Sequence, residues 1–299
     1  MVVGGGAAGL SAALVLGRSC RRVVVCDDGR PRNGVVRHMH GFLTRDGASP
    51  ADMLRIARDE AARYPGVRLV AAHVDSISPE NGSFVAQTDR GERFAARRLL
   101  LACGVFDALP AIDGLRELWG RSVFVCPYCD GWEVRDRRVA VAGSTRKAFE
   151  LAQELWQWSD DLLVCADGEG EVSGDQRRWA QAVRAELVNA RILRVEQNDR
   201  VALFLSNGST QHCDALFLCA PLRQRYDLVE MLGVGINADG EIAVDKRGRT
   251  NVPGVYAAGD AVTSVHQVVL AAASGVTAAM AVNEDLLEEE VRKVSHAID

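Results

Sequence analysis

One short segment near the start constrains this chain more than any other. Val2-Val3 runs into Gly4-Gly5-Gly6-Ala7-Ala8-Gly9, then into an apolar helical stretch, Leu10 to Leu16. A second apolar run, Arg22-Val23-Val24-Val25-Cys26, ends in Asp27-Asp28. Strand, glycine turn, helix, strand and acid in that order predict a parallel βαβ unit. Gly4 permits the tight turn, Gly6 lets the main chain approach a pyrophosphate, and Gly9 lets helix and strand pack closely. The N–H groups at the start of the helix would face the diphosphate. Asp27 lies where a carboxylate accepts from an adenosine ribose. Only three residues precede Gly4, so the first strand is expected to be short, consistent with a few residues missing ahead of Met1. The run Met1 to Gly17 has no basic residue and five glycines, which reads as mature structure rather than a signal peptide.

Two downstream segments complete the pattern. Arg98-Leu99-Leu100-Leu101-Ala102-Cys103-Gly104 reads as a buried strand ending in glycine. Thr250 to Asp260 reads as a turn, the short strand Val255-Tyr256-Ala257, and then Gly259-Asp260 opening an Ala-rich helix. An aspartate there can hold polyol hydroxyls while the helix start faces phosphate.

A length of 299 residues with 48% hydrophobic and 25% charged residues suits about two domains. The net charge of -5 argues against nucleic acid or an anionic membrane as the main partner, and no apolar run is long enough to cross a bilayer. Eight cysteines are too sparse for a secreted disulfide scaffold, so a cytoplasmic protein is expected. Six of them read as small buried hydrophobes. Cys126 and Cys129 differ, because two intervening residues let a disulfide close across one turn. Zinc would need two further ligands at suitable spacing, and Cys213 and Cys219 are poorly placed to supply them, so no metal is expected. Asp130, ahead of Gly131-Trp132, suits a helix N-cap.

The N-terminal glycine turn, the Ala102-Cys103-Gly104 strand end, Val255 to Asp260 and Cys126-Pro127-Tyr128-Cys129-Asp130 together resemble the low-molecular-weight thioredoxin reductases. That resemblance implies an α/β protein of two Rossmann-like three-layer dinucleotide-binding domains, the second inserted into the first. It implies an FAD-binding domain at 1–107 and 227–299 and a redox domain at 108–226, swivelling about their linkers. Around FAD it places Gly4, Gly6, Ala7, Ala8, Gly9, Asp27, Val74, Ala102 and Gly104, with Gly259 and Asp260 at the ribityl and pyrophosphate portion. His266-Gln267-Val268 corresponds to the family's Arg-Gln-Ala at the flavin pyrimidine, with His in place of Arg. Asn33 and His40 fall in the loop that passes the flavin, or are solvated loop side chains. Cys129 would be the flavin-side thiol, Cys126 the substrate-side thiol, and Asp130 the acid that protonates the departing thiolate. That role suits a carboxyl whose pKa burial has raised.

The family's second nucleotide fold is present only as a framework. Arg138 to Ala142 and Asp161 to Ala166 read as strands around a helix, Lys147 to Trp158. The turn is Gly143-Ser144-Thr145-Arg146-Lys147-Ala148, in which only Gly143 matches a pyridine-nucleotide fingerprint. The following Asp167-Gly168-Glu169-Gly170-Glu171 would repel a 2′-phosphate. NADPH is therefore not expected, and NADH stays open through Asp167. Gly29 to Asn33, His38 to Leu43 and Cys126 to Glu133 resemble a divergent branch of the family. It comprises flavin thioredoxin reductases that use no pyridine nucleotide, some with ferredoxin as donor, and oxygen-dependent dithiol oxidases of the gliotoxin and holomycin type. The expected reaction is reduction of thioredoxin or another disulfide. The alternatives are dithiol oxidation by oxygen and a non-catalytic flavoprotein sensor. Arg135, Arg137 and Arg138 read as a solvated charged turn or as a landing site for ferredoxin. The resemblance also implies a homodimer.

Overall fold

The computed structural model describes residues 1–167 and 170–296. Gly168 and Glu169 of the acidic loop and residues 297–299 lie outside the described residues. The chain divides into two compact units, the first formed by Met1–Gly34, Pro50–Phe106 and the chain from Arg223 onward, the second by Val35–Ser49 and Asp107–Leu222. The segment Val35–Ser49 thus groups with the second unit, although it lies within residues 1–107.

The first unit is built on a five-stranded parallel sheet in the order Val255–Ala257, Leu99–Leu101, Val2–Val3, Val23–Asp27, Val67–Ala71. Successive strand side chains point to opposite faces, so apolar runs such as these are buried on both sides. Val2, Val25 and Leu100 pack beneath the helix Ala7–Arg18 and the last helix, through Ala12, Leu16, Ala278 and Val282. Val3, Leu99 and Leu101 turn the other way, onto Ile77, Phe84 and Ala86 of a three-stranded antiparallel sheet. Helix, sheet and sheet make three layers.

The second unit repeats the plan. Its parallel sheet runs Glu186–Asn189, Leu162–Ala166, Val139–Gly143, Ala215–Leu218, Val123–Phe124. Val139, Val141 and Val164 face the helix Thr145–Leu155, while Ala140, Leu163 and Cys165 face the antiparallel strands Ile192–Gln197, Val201–Leu205 and Thr210–Cys213. An α/β chain of two Rossmann-like three-layer units is the expected class.

The last helix, Val268–His296, runs 29 residues and absorbs the charged stretch Glu284 to Lys293. That stretch is anchored at several points: Glu290 pairs with Arg21 and Arg97, and Glu289 with Arg98. Among the described residues no helix is long and apolar enough to cross a membrane.

Candidate functional site

In the first unit the glycine turn is fixed by what surrounds each residue. Gly4 sits at φ +103°, a conformation that side chains rarely allow, and donates its N–H to Cys26 O at 2.8 Å. A Cβ on Gly4 would run into the Ala102 carbonyl, and one on Gly9 into the Gly4 carbonyl. Gly5 N–H donates to Asp27 Oδ1 at 3.1 Å, and Arg58 reaches Asp27 Oδ2 at 3.0 Å. Asp27 therefore ties the turn to the end of the second strand. Gly6 differs from its neighbours, because a Cβ there would meet nothing within 4 Å. It begins a helix whose first turn has no acidic residue and no side-chain cap. Empty space in front of uncapped helix N–H groups is what an anionic diphosphate requires.

The downstream segment comes to the same place. Gly259, at φ +79°, lies so that an added Cβ would be 2.9 Å from Ala8 Cβ, and its N–H donates to Ser274 Oγ at 2.9 Å. Gly275 of the last helix packs on the Ala8 carbonyl. The Gly259–Asp260 turn and the first helix are thus brought together across the length of the chain. Asp260 also faces Arg32 at 3.6 Å. The sequence marks Arg32 only through the basic loop that follows Asp27-Asp28. Asn33 is half-buried in the short helix Arg32–Val35. Ala102 is buried and donates to Val3 O at 2.8 Å, and Gly104 has open space about it. His266 and Gln267 stand just ahead of the last helix, which Val268 begins; Ala271 N–H donates to Gln267 O at 2.9 Å. The Val74 side chain is buried in the core with Ile77 and Phe84, and its main chain is left for a ligand. The open Gly6 cradle and the polar groups around it fit FAD.

In the second unit, Cys126 and Cys129 form a disulfide with Cα atoms 5.2 Å apart. Pro127, pre-set for the first helical position, starts a single turn, Pro127–Asp130. Cys129 and Asp130 N–H both donate to Cys126 O at 3.1 Å. Gly131 leaves the turn, and a Cβ there would be 2.5 Å from Pro127 O and 3.0 Å from the Trp158 ring. Asp130 closes this turn instead of capping the next one, because Gly131 occupies the cap position and no side chain caps it. Burial, reinforced by the Glu133 carboxylate and opposed by His40, pushes the Asp130 carboxyl up to about 7. The acid thus gains and loses its proton near neutrality, next to Cys129 in sequence.

His40, in the segment Val35–Ser49, reaches Glu133 just past this turn. Its Nδ1 lies 3.4 Å from Asp46 Oδ1 and its Nε2 lies 3.4 Å from Glu133 Oε1. The Met39–Ala48 bridge that closes the loop sets this placement. Tyr128 and Trp132 are exposed, Tyr128 edge-on to Trp158 and Trp132 beneath the Arg135 guanidinium at 4.0 Å. Arg138 is not a solvated charge: it pairs with Asp161 at 2.8 Å and Glu186 at 2.5 Å.

The second glycine turn contrasts with the first. Gly143 packs against Cys219, and a Cβ there would be 2.7 Å from Cys219 Cβ. Ser144 caps the helix without a side-chain hydrogen bond, and Thr145 is buried with its hydroxyl donating to Gly170 O at 3.5 Å. Asp167 N–H donates to Gly143 O at 3.1 Å. The remaining cysteines mostly pack. Burial pushes the Cys26 and Cys219 thiols to about 11 and those of Cys165 and Cys213 to about 12. Cys20 is the departure, exposed just past the first helix.

Two dinucleotide-type folds with a Cys-x-x-Cys disulfide define a flavoprotein disulfide oxidoreductase. A family model for pyridine nucleotide-disulphide oxidoreductases matches residues 1–275, and the chain belongs to that family. It is accordingly a flavin-dependent oxidoreductase of thioredoxin-reductase type acting on sulfur. Thioredoxin reductase tcpT of Claviceps purpurea is 30% identical over 97% of this chain and 94% of its own. Among solved structures, HlmI matches with a TM-score of 0.94 and 38% identity, over 99% of this chain and 94% of that one. The putative thioredoxin reductase TrxB of Bacillus anthracis matches at 0.92 and 30%, over 97% and 98%.

Proposed function

We propose that this chain passes two electrons between FAD and a thiol substrate through Cys126 and Cys129, without a pyridine nucleotide. The observation that carries the reading is a closed Cys126–Cys129 disulfide beside an acid held at about 7. The buried Thr145 and the loop bonded to Gly143 support the absence of NADPH and NADH. FAD, when bound, supplies a two-electron donor and acceptor. The main chain of Gly4, Gly6 and Ala7 to Gly9 would hold its diphosphate, Asp27 its ribose, Gly259 and Asp260 the ribityl portion, and His266 to Val268 the pyrimidine edge. The main chain of Val74, with Ala102, Gly104 and Asn33, lies along the same unit.

With a disulfide substrate, the Cys126 thiolate attacks one sulfur, a mixed disulfide forms and the substrate S–S bond breaks. The departing sulfur takes a proton from Asp130. Cys129 then displaces the substrate from Cys126, which restores the protein disulfide and releases the second substrate thiol. Thioredoxin is the protein substrate this reading favours, with ferredoxin as electron source, in a cytoplasmic homodimer. A second reading runs the steps backwards: a substrate dithiol reduces the pair, and oxygen takes the two electrons and two protons to give peroxide. The engagement of Arg138 by Asp161 and Glu186 favours it, since an acidic protein donor then finds fewer unpaired cations near the redox turn.

The test is anaerobic mixing of flavin-loaded protein with NADPH, NADH, reduced ferredoxin and dithiothreitol in turn. Dithiothreitol is expected to bleach the flavin, NADPH and NADH to leave it yellow, and Cys129→Ser to stop the bleaching. Rapid bleaching by NADPH would overturn the donor assignment, and an unimpaired Cys129→Ser protein the relay. Bleaching by ferredoxin supports the reductase, and peroxide formed in step with dithiol loss supports the oxidase. Absence of steady turnover with any pair would leave a flavoprotein sensor.

A further inference from the structure

The glycine turn that would take the FAD diphosphate brings no positive side chain of its own. Residues 4–9 are Gly4-Gly5-Gly6-Ala7-Ala8-Gly9, and the helix they open carries no basic residue before Arg18. A helix start contributes about half an elementary charge, whereas a diphosphate is a dianion. Three carboxylates of the same unit, Asp27, Asp28 and Asp260, add to the demand for positive charge, and each is met by an arginine. Arg58 reaches Asp27 at 3.0 Å and Arg225 reaches Asp28 at 2.9 Å, both as hydrogen bonds just past the second strand. Arg32 meets Asp260 at 3.6 Å, an attraction longer than a hydrogen bond. Asp260 follows Gly259, whose added Cβ would lie 2.9 Å from Ala8 Cβ in the first turn of the helix. Arg32 thus comes to the helix start by way of Asp260. Both side chains are about a fifth exposed, so water screens their charges less than at an open surface.

We propose that Arg32 is a binding residue for the FAD diphosphate, its guanidinium supplying the charge that the glycine turn lacks while Asp260 holds it beside the helix start. This rests on the reading that FAD lies at the Gly4 to Gly9 turn. A guanidinium is planar, permanently charged and rich in N–H donors, so one edge can serve a carboxylate and another a phosphate oxygen. Asp260 then has two tasks, to accept from ribityl hydroxyls and to steer Arg32. The loop that carries Arg32 is held on both sides of it. Arg30 returns to Asp28 at 2.8 Å, and Gly34 N–H donates to Pro31 O at 3.0 Å within the single turn Arg32–Val35. A cation positioned before the ligand arrives costs less ordering when the ligand binds.

The experiment titrates the flavin-stripped full chain with FAD and follows flavin fluorescence, at ionic strengths from about 0.05 to about 0.5 M. Arg32→Gln should weaken FAD about tenfold or more, the scale of one hydrogen bond to a charged group, and flatten the fall of affinity with salt. Arg32→Lys keeps the charge without the planar fork and should recover part of that loss; a loss as large as that of Arg32→Gln would overturn the proposal. A merely structural ion pair gives a different result: Arg32→Gln would lower the melting midpoint of the stripped protein and leave the salt dependence of binding as in wild type. That outcome also overturns the proposal. The double variant Arg32→Gln with Asp260→Asn examines whether Arg32 only cancels the charge of Asp260. It should bind FAD no better than Arg32→Gln alone, and recovery towards wild type would count against direct service to the diphosphate. Gly6→Ala separates the proposal from the reading beneath it. If Gly6→Ala weakens FAD and Arg32→Gln does not, the proposal falls and the glycine-turn site stands; if neither weakens it, both fall.

Discussion

The two glycine turns follow equivalent strands in equivalent sheets, and they differ in the residues that surround them. At Gly4 to Gly9 the close contacts lie behind the turn, against Ala102 and the Gly4 carbonyl, and the space before Gly6 is open. At Gly143 to Ala148 the close contact of Gly143 with Cys219 persists, while Thr145 is buried and bonds to Gly170. The parallel sheets are alike in both units, five strands each. The glycine behind a turn thus serves the fold, because helix and strand must approach, and the small residues in front serve the ligand. A chain can lose the second set and keep its architecture.

Three substitutions test that division, beginning with the largest effect. Gly9→Val drives two methyl groups toward the Gly4 carbonyl and should cost about 3 kcal/mol or more, seen as a lower melting midpoint and loss of yellow colour. Retention of both would show that the helix and strand can move apart. Gly6→Ala should act on binding alone. Its Cβ meets nothing of the protein, so apo-protein stability should stay within about 1 kcal/mol, while FAD affinity measured by fluorescence titration falls about tenfold or more. Equal FAD affinity would mean that the diphosphate is not held at Gly6. Thr145→Gly, in the second turn, should cost about 1 kcal/mol through lost packing and helix propensity, and NADPH should still fail to bleach the flavin. Bleaching would show that one side chain was the whole obstacle.

Much of this was legible in the sequence because it depended on neighbours along the chain. Uninterrupted apolar runs such as Leu99-Leu100-Leu101 and Leu162 to Ala166 read as strands covered on both faces, and they are buried strands. The Cys126–Cys129 pair is three positions apart and closes within one turn. Other features depend on residues far away in sequence. Arg32 meets Asp260, Arg138 is neutralised by Asp161 and Glu186, and the side chain of Val74 turns into the core. His40 belongs with Glu133 because a loop closes between Met39 and Ala48, and no local signal marks that closure. The charged stretch from Glu284 continues the last helix. Pairs four apart, Glu289 with Lys293 and Glu288 with Arg292, support it from within, and Arg21, Arg97 and Arg98 hold it from outside.

The sequence by itself determined the complete first glycine turn, the departures from that pattern in the second, and the redox pair. Each of these is written in residues within a turn or two of one another, where sterics and hydrogen bonding act without the rest of the fold. Tertiary structure alone decided that Asp130 exchanges its proton near neutrality and not in the usual carboxylate range, because burial and the Glu133 charge set that property. It alone decided that His40 stands with Asp46 and Glu133. Electrostatic interactions depend on distance through space and on exclusion of water, and neither quantity exists until the chain has folded.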